Sequence, residues 1–300
     1  MFAGDIVAET QRSFDAFWNS SNSVVIHDYL RPRRRVNLTL NELRGIFAET
    51  VIGELQNLAG FTFRASQWLE EQANTAMLAP SEFIYDSPAI ESATAERLKD
   101  ELYEYLGSAR DELILISAYV IPDEELLRLF EDLRDRGVRI VILTNSVQSN
   151  NHMLAHVAYT RFRRRLLRAG IELFEMRPDA AILRTQSIDP VQPGYLGLHM
   201  KAAVVDGHYA MVGTANIDPR ALDINTESAL LIDDVELSEQ LRTIILEAAA
   251  PANAWQLGLD ESGELTWTND SESRRNEPVR GPLQRILQFL HVLLPIKDQA

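Results

Sequence analysis

Cysteine is absent from all 300 residues. That absence excludes a disulfide framework, a thiol nucleophile and a thiolate metal site, and nothing in the chain calls for an oxidising compartment. Long apolar runs are also missing. None approaches the roughly 20 residues that a membrane-spanning helix needs, so any membrane contact is expected to be peripheral. Residues 1–9 lack a basic n-region and carry Asp5 and Glu9 where an apolar segment should follow, so no secretory signal is read and a cytoplasmic location is expected. Basic charge is scarce: 29 Lys and Arg stand against 44 Asp and Glu, a formal charge of -15. That balance opposes nonspecific nucleic-acid binding, which needs a surplus of cations on one face. Lysine is scarcest of all, with only Lys99, Lys201 and Lys297. What remains, 46% hydrophobic and 24% charged residues, is an ordinary globular composition with material for one sizeable core.

Hydrophobic spacing divides the chain into three stretches. Over 1–79 the pattern is mainly helical. An amphipathic segment lies at 4–18, a short apolar run at 24–26, a basic connector at Arg31-Pro32-Arg33-Arg34-Arg35, a helix with capping-box spacing from Thr39 to Glu42, and a further helix at about 61–77. Pro80 marks a boundary to an α/β pattern over 80–250. Strands are expected at 83–85, 113–120, 138–144 and 171–175, with helices at 94–106, 124–136 and 153–169. Residues 179–197 read as a loop or lid, and three strands are expected within 198–233. The last stretch, 251–300, is a polar, loop-like extension ending in a short amphipathic helix over 282–295, better suited to packing on the domain than to lying in a bilayer.

The segment His199-Met200-Lys201-Ala202-Ala203-Val204-Val205-Asp206-Gly207-His208-Tyr209-Ala210-Met211-Val212-Gly213-Thr214-Ala215-Asn216 carries the chemistry. Residues two apart in a strand share a face, so His199 and Lys201 point the same way, and Asp206-Gly207 is a two-residue hairpin signal. With that turn, Val205 opposes His208, Lys201 opposes Val212 and His199 opposes Thr214, leaving Asn216 just beyond. Such a cluster suits a bound anion. A phosphodiester reaction needs a proton donor or nucleophile working near neutral pH, fixed positive charge, and further donors for the transition state; histidine, lysine and asparagine supply these in turn. Glu227 on the following strand is placed to orient the imidazole.

The pattern His-x-Lys, four residues, Asp, six residues, Gly-Thr-x-Asn resembles the signature of the phospholipase D superfamily at every defined position. The surrounding Asp218-Pro219-Arg220 and Asn225-Thr226-Glu227, Leu198, and the tail Leu294-Pro295-Ile296-Lys297-Asp298-Gln299 are similar to the bacterial cardiolipin synthase branch. The resemblance implies an α/β fold with a mixed β-sheet flanked by helices, no metal or other cofactor, and transfer of a phosphatidyl group through a phosphohistidine. By position it makes His199, Lys201 and Asp206 catalytic, His199, Lys201, Thr214 and Asn216 phosphate-binding, and Glu227 and Gly213 supporting residues. The turn itself suggests that Asp206 fixes the hairpin rather than touching substrate.

Members of that branch carry two such motifs in two similar lobes. This chain has one, because His27, His152, His156, His208 and His291 lack a lysine two residues later. Residues 13–20 look like the segment that closes the family's first lobe. The expectation is therefore a second lobe with a helical remnant of a first, using a second motif from an upstream lobe, a partner or another copy. The substrate expected from the resemblance is a phospholipid such as phosphatidylglycerol, reached by contact with the cytoplasmic side of the inner membrane. A single-motif homodimeric nuclease and a catalytically incomplete fragment are the other readings. Arg161, Arg163, Arg164, Arg165 and Arg168 read as a solvated helix face before a phosphate site. His156 and Tyr159 share a helix face that the resemblance places beside the substrate cleft.

Overall fold

The four-residue apolar runs 113–116 and 140–143 form strands buried on both faces, and they make the middle of the sheet. The computed structural model describes residues 4–25, 74, 76–88, 98–182, 197–281 and 284–285. The expected strand at 24–26 lies partly, and the helices at 39–58 and 61–77 and most of the C-terminal helix at 282–295 lie almost wholly, outside the described residues. Two compact units are distinguished, residues 1–20 with 79–300, and residues 21–78.

In the larger unit, α1 (Ile6–Trp18) is followed by β1 (Ser81–Tyr85), α2 (Leu98–Gly107), β2 (Glu112–Ser117), α3 (Glu124–Asp135), β3 (Arg139–Asn145), α4 (Met153–Thr160), α5 (Arg163–Arg168) and β4 (Glu172–Met176). Then come β5 (Lys201–Val205), β6 (Tyr209–Gly213), a π-helical turn (Arg220–Ile224), β7 (Ser228–Asp233), α6 (Val235–Ala249), β8 (Ala254–Leu259), β9 (Leu265–Thr268) and β10 (Ser273–Arg274). One ten-stranded mixed sheet runs in the order β1-β7-β6-β5-β2-β3-β4-β8-β9-β10. Among the described strand pairs of this sheet, β2 with β3 and β3 with β4 are the parallel ones. Leu102, Leu106, Leu126, Phe130 and Leu166 from α2, α3 and α5 bury one face together with Leu113, Leu115, Ala203 and Val205. On the other face Ile245, Ala248 and Ala249 of α6 pack on Ile114, Ile116, Ala202 and Val204. The fold is α/β, with helices on both faces of a mixed sheet.

Three expectations are corrected. The helix expected at 153–169 is two helices, because Arg161 and Phe162 close i→i+3 turns onto Ala158 and Tyr159 before α5 starts. The stretch after 251 is not merely a polar extension. Trp255, Leu257 and Trp267 alternate inward, so β8 and β9 continue the sheet, and the polar residues between them hid that period. The arginine cluster is only in part a solvated face: Arg161 and Arg168 are exposed, while the three arginines between them are engaged by acids. Arg163 is buried against Glu175 (2.7 Å) and Glu277, Arg164 binds Glu264 (2.6 Å), and Arg165 binds Glu124 (2.8 Å) and Glu131 (3.2 Å).

Arg163 anchors a buried polar group that ties the C-terminal stretch to the domain. Glu175 accepts from Tyr159 Oη (3.0 Å) and Trp267 Nε1 (3.1 Å), and His156 Nε2 lies 2.9 Å from Glu277. His156 is fully buried here, inside this group. Burial opposes ionisation of Glu277, yet the Arg163 guanidinium and His156 outweigh it and hold the carboxyl far below the usual glutamate range. A carboxyl depressed in the folded state stabilises at and above its unfolded pKa, and that contribution is lost as pH falls. Arg163→Ala leaves two buried carboxylates without their cation and is expected to cost about 3–5 kcal/mol in urea unfolding. In Glu277→Gln the acid limb of stability against pH should be shallower than in the wild type.

Candidate active site

β5 runs antiparallel between β2 and β6 and is held at both ends by side chains. At its C-terminal end Asp206 takes φ 53°, and its carboxylate accepts from the backbone N–H groups of Arg110 (3.0 Å), Asp111 (2.8 Å) and Glu112 (2.9 Å). Its own N–H donates to the Glu112 carbonyl at 2.8 Å. At the other end the buried Asn145 accepts from Leu198 N–H (2.9 Å) and donates to the carbonyls of Leu198 (2.8 Å) and Ala118 (3.0 Å). The chain also passes so close there that a Cβ on Gly197 would sit 2.6 Å from the Ser149 carbonyl.

This clamp corrects the expected hairpin register. Val205 pairs with Tyr209 and Ala202 with Val212, so the loop is Asp206-Gly207-His208, one residue longer than a two-residue turn. Asp206 stays engaged with β2 and pushes the turn one residue on. Lys201 therefore does not oppose Val212, and the expected opposition of His199 and Thr214 falls with it. Thr214 is exposed, and its hydroxyl accepts from Ser228 N–H (2.9 Å) and lies 3.3 Å from the Ser228 carbonyl, closing the end of the β6–β7 pairing. Gly213 permits that approach, since a Cβ would meet the Ser228 carbonyl at 2.8 Å.

The opposite end of β5 gathers the ionisable groups. His199 is exposed, and among the described residues its imidazole has no hydrogen-bond partner. Lys201 is buried, with Nζ donating to the His199 carbonyl at 2.8 Å. Across the β2–β5 pair Lys201 faces Ser117, whose hydroxyl accepts from Ile217 N–H at 3.2 Å. Val120 bridges Ile217, and Ile121 N–H donates to the Ile217 carbonyl at 2.6 Å. The loops after β2 and β6 are thus stitched together beside Lys201. Asn216, next to Ile217, has a buried Oδ1 without a hydrogen-bond partner among the described residues. Asp218 is buried and caps the π-helical turn through Ala221 N–H (2.8 Å). Glu227 accepts from Asn225 Nδ2 (3.1 Å), while its N–H donates to the buried Asp86 (2.8 Å). Tyr119 donates to Asn151 Oδ1 at 2.8 Å, with the His152 ring edge-on at 5.9 Å. Burial pulls the pKa of Lys201 down, against the upward pull of Glu227 and Asp218.

Asp206 lies five residues from Lys201, about 17 Å along an extended strand. With its carboxylate occupied by three amides, it organises the hairpin and does not reach the Lys201 end. Asp218 and Tyr119 were not singled out by spacing. The Asp-Pro step at 218–219 is a turn signal, but nothing local marks Asp218 as buried beside a lysine.

Residues 102–248 match the family model described as cardiolipin synthase, PLD-like domain. Cardiolipin synthase C of Escherichia coli (strain K12) is 31% identical over 235 residues, 73% of this chain and 48% of that protein. Residues 102–248 form a phospholipase D-like domain of that family. An uncharacterized protein of Helicobacter pylori (strain J99 / ATCC 700824) is 24% identical over 306 residues, 99% of this chain and 59% of that one. The chain spans about half the length of these curated relatives. The solved structure of a phospholipase D family member, Nuc from Salmonella typhimurium, aligns with a TM-score of 0.40 at 18% identity, over 57% of this chain and 93% of that one. The phospholipase D-like match begins inside α2 and ends inside α6, so β1 and β8–β10 extend the sheet beyond it.

Asp206→Ala leaves three amides without their acceptor and places a Cβ residue without a local side-chain bond at positive φ. A loss of about 1–3 kcal/mol is expected in denaturant unfolding. Asp206→Asn, which tolerates that backbone conformation, should lose less.

Proposed function

We propose that this chain supplies one of the two catalytic motifs of a phospholipase D-type phosphatidyltransferase of the cardiolipin synthase kind. The observation that carries this reading is the exposed His199 imidazole, without a hydrogen-bond partner among the described residues, two residues from a buried Lys201 that forms no ion pair among them. Lys201 is the fixed positive charge for the non-bridging oxygens, and Asn216 is a further phosphate contact through its Nδ2 donor. Thr214 supports the site through the Ser228 backbone, and Glu227, held by Asn225 Nδ2 and not bonded to His199 among the described residues, acts on Lys201 through its charge.

In this scheme a histidine from a second motif attacks phosphorus, and the bond to the leaving alcohol breaks as His199 donates its proton to that oxygen. His199 then takes the proton of the acceptor alcohol, whose oxygen attacks phosphorus as the P–N bond breaks. A phospholipid such as phosphatidylglycerol is the proposed donor, reached by peripheral contact at the inner membrane. Among the described residues no helix is long and apolar enough to cross a membrane. The charge of -15 weighs against a polynucleotide substrate.

The test is phosphatidylglycerol turnover by purified chain of known oligomeric state. Monomer should be inactive, with turnover appearing only when a second His-x-Lys motif is supplied by another copy or an added lobe. His199→Ala should then lose activity by about 100- to 10,000-fold. A monomer that turns over the lipid in a His199-dependent way contradicts the two-motif requirement.

A further inference from the structure

The two described lysines are held in opposite ways. Lys99 is ion-paired directly, at 2.7 Å to Asp123 and 3.0 Å to Asp223. Lys201 is more deeply buried, yet among the described residues it forms no ion pair, and Nζ donates to a backbone carbonyl. Glu227 and Asp218 nevertheless pull its pKa up against the downward effect of burial. We propose that Asp218 is a positioning residue, whose buried carboxylate keeps Lys201 an ammonium through space while leaving the remaining Nζ donors open to an incoming phosphate.

The placement of Asp218 follows from the stitching of two loops. Ser117 lies opposite Lys201, Ser117 Oγ accepts from Ile217 N–H, and Asp218 is the next residue. One carboxylate oxygen is committed to Ala221 N–H at 2.8 Å, and the Asp218 carbonyl accepts from Leu222 N–H at 3.0 Å. The side chain is thereby fixed and cannot swing onto Nζ without uncapping the turn. Among the described residues the charged and titratable groups around this point are His199 ahead of β5, Tyr119 after β2, Asp218 and Arg220 after β6, and Glu227 ahead of β7 with Asp86 on its backbone N–H. Burial raises the pKa of Asp218, and Glu227 raises it further, while the Ala221 and Arg220 amides and the Arg220 charge lower it. Burial also raises that of Tyr119, with Asp218 adding to it.

A lysine that is to receive phosphate must be charged before the anion arrives, although the empty buried site favours its neutral form. A direct salt bridge would keep it charged, but the phosphate would then have to displace a carboxylate. A fixed carboxylate at a distance avoids that displacement. This purpose rests on the phosphate-site reading above, whereas the arrangement itself can be measured without turnover.

With only three lysines in the chain, isotope-labelled lysine side chains give a spectrum in which Lys201 is assigned by its loss in Lys201→Met. Asp218→Asn retains an oxygen for the Ala221 amide and removes the charge. In that variant the Lys201 ammonium should titrate at lower pH than in the wild type, with the Lys99 signal unmoved. An unmoved or raised Lys201 titration in the folded variant overturns the proposal. If Asp218→Asn does not fold, Glu227→Gln serves instead. Its Lys201 signal should still show an inflection in the acid range as Asp218 ionises, and a flat acid limb overturns the proposal. Titration of wild-type protein with inorganic phosphate separates the two readings: no binding, with the Lys201 shift intact, overturns the phosphate site and leaves the charge arrangement standing.

Discussion

Everything at the candidate site depends on β5 being clamped at both ends. The Asp206 carboxylate gathers three amides at the start of β2, and Asn145 grips the Leu198 backbone one residue before His199. Between these grips five residues cross the middle of the sheet, all buried. The clamp fixes how far His199 projects beyond the sheet and where Lys201 meets Ser117. Because one end of a strand is held by charge-assisted bonds and the other by a buried amide, sliding β5 along β2 would leave several polar groups unpaired inside the protein.

Charge is distributed to the same effect. In a strongly acidic chain most arginines around the domain are consumed in pairs: Arg139 and Arg242 share Glu112, and Arg163 is enclosed by Glu175 and Glu277. These networks join strands and helices, and they leave Lys201 as a buried cation without a direct acidic partner among the described residues. An ammonium in that state is the group prepared for an anion from outside. The C-terminal stretch takes part in this framework rather than trailing from it. Glu277 reaches Arg163, and Gln284 Nε2 donates to the Val147 carbonyl (2.7 Å), pinning the loop that also carries Asn151.

Much of the fold was legible because its central strands are apolar without interruption and its helices close with Gly137 and Gly170 at positive φ. Those signals are local. The hairpin was legible in its existence and off by one in its register, because the carboxylate that displaces the turn binds residues almost a hundred positions earlier. β8 and β9 escaped notice since their inward period rests on Trp255, Leu257 and Trp267 set among polar residues. The break before α5 was hidden for a similar reason: Arg163 turns inward to acids on β4 and in the C-terminal stretch, which helical spacing alone does not show. His199 and Lys201 stood out by spacing. Asp218 and Asn145 did not, since each gains its part from a tertiary neighbour and reads in sequence as an ordinary turn residue.

The account's central claim is that the clamped end of β5 is a phosphate site. A crystal structure of the protein with tungstate bound tests it most directly. The account predicts the anion within hydrogen-bond reach of His199 and Lys201, with Asn216 turned toward it, and loss of that anion in Lys201→Met. Tungstate found instead among Arg274, Arg275 and Arg285, which line a cavity at the C-terminal stretch, with the β5 end empty, would contradict it.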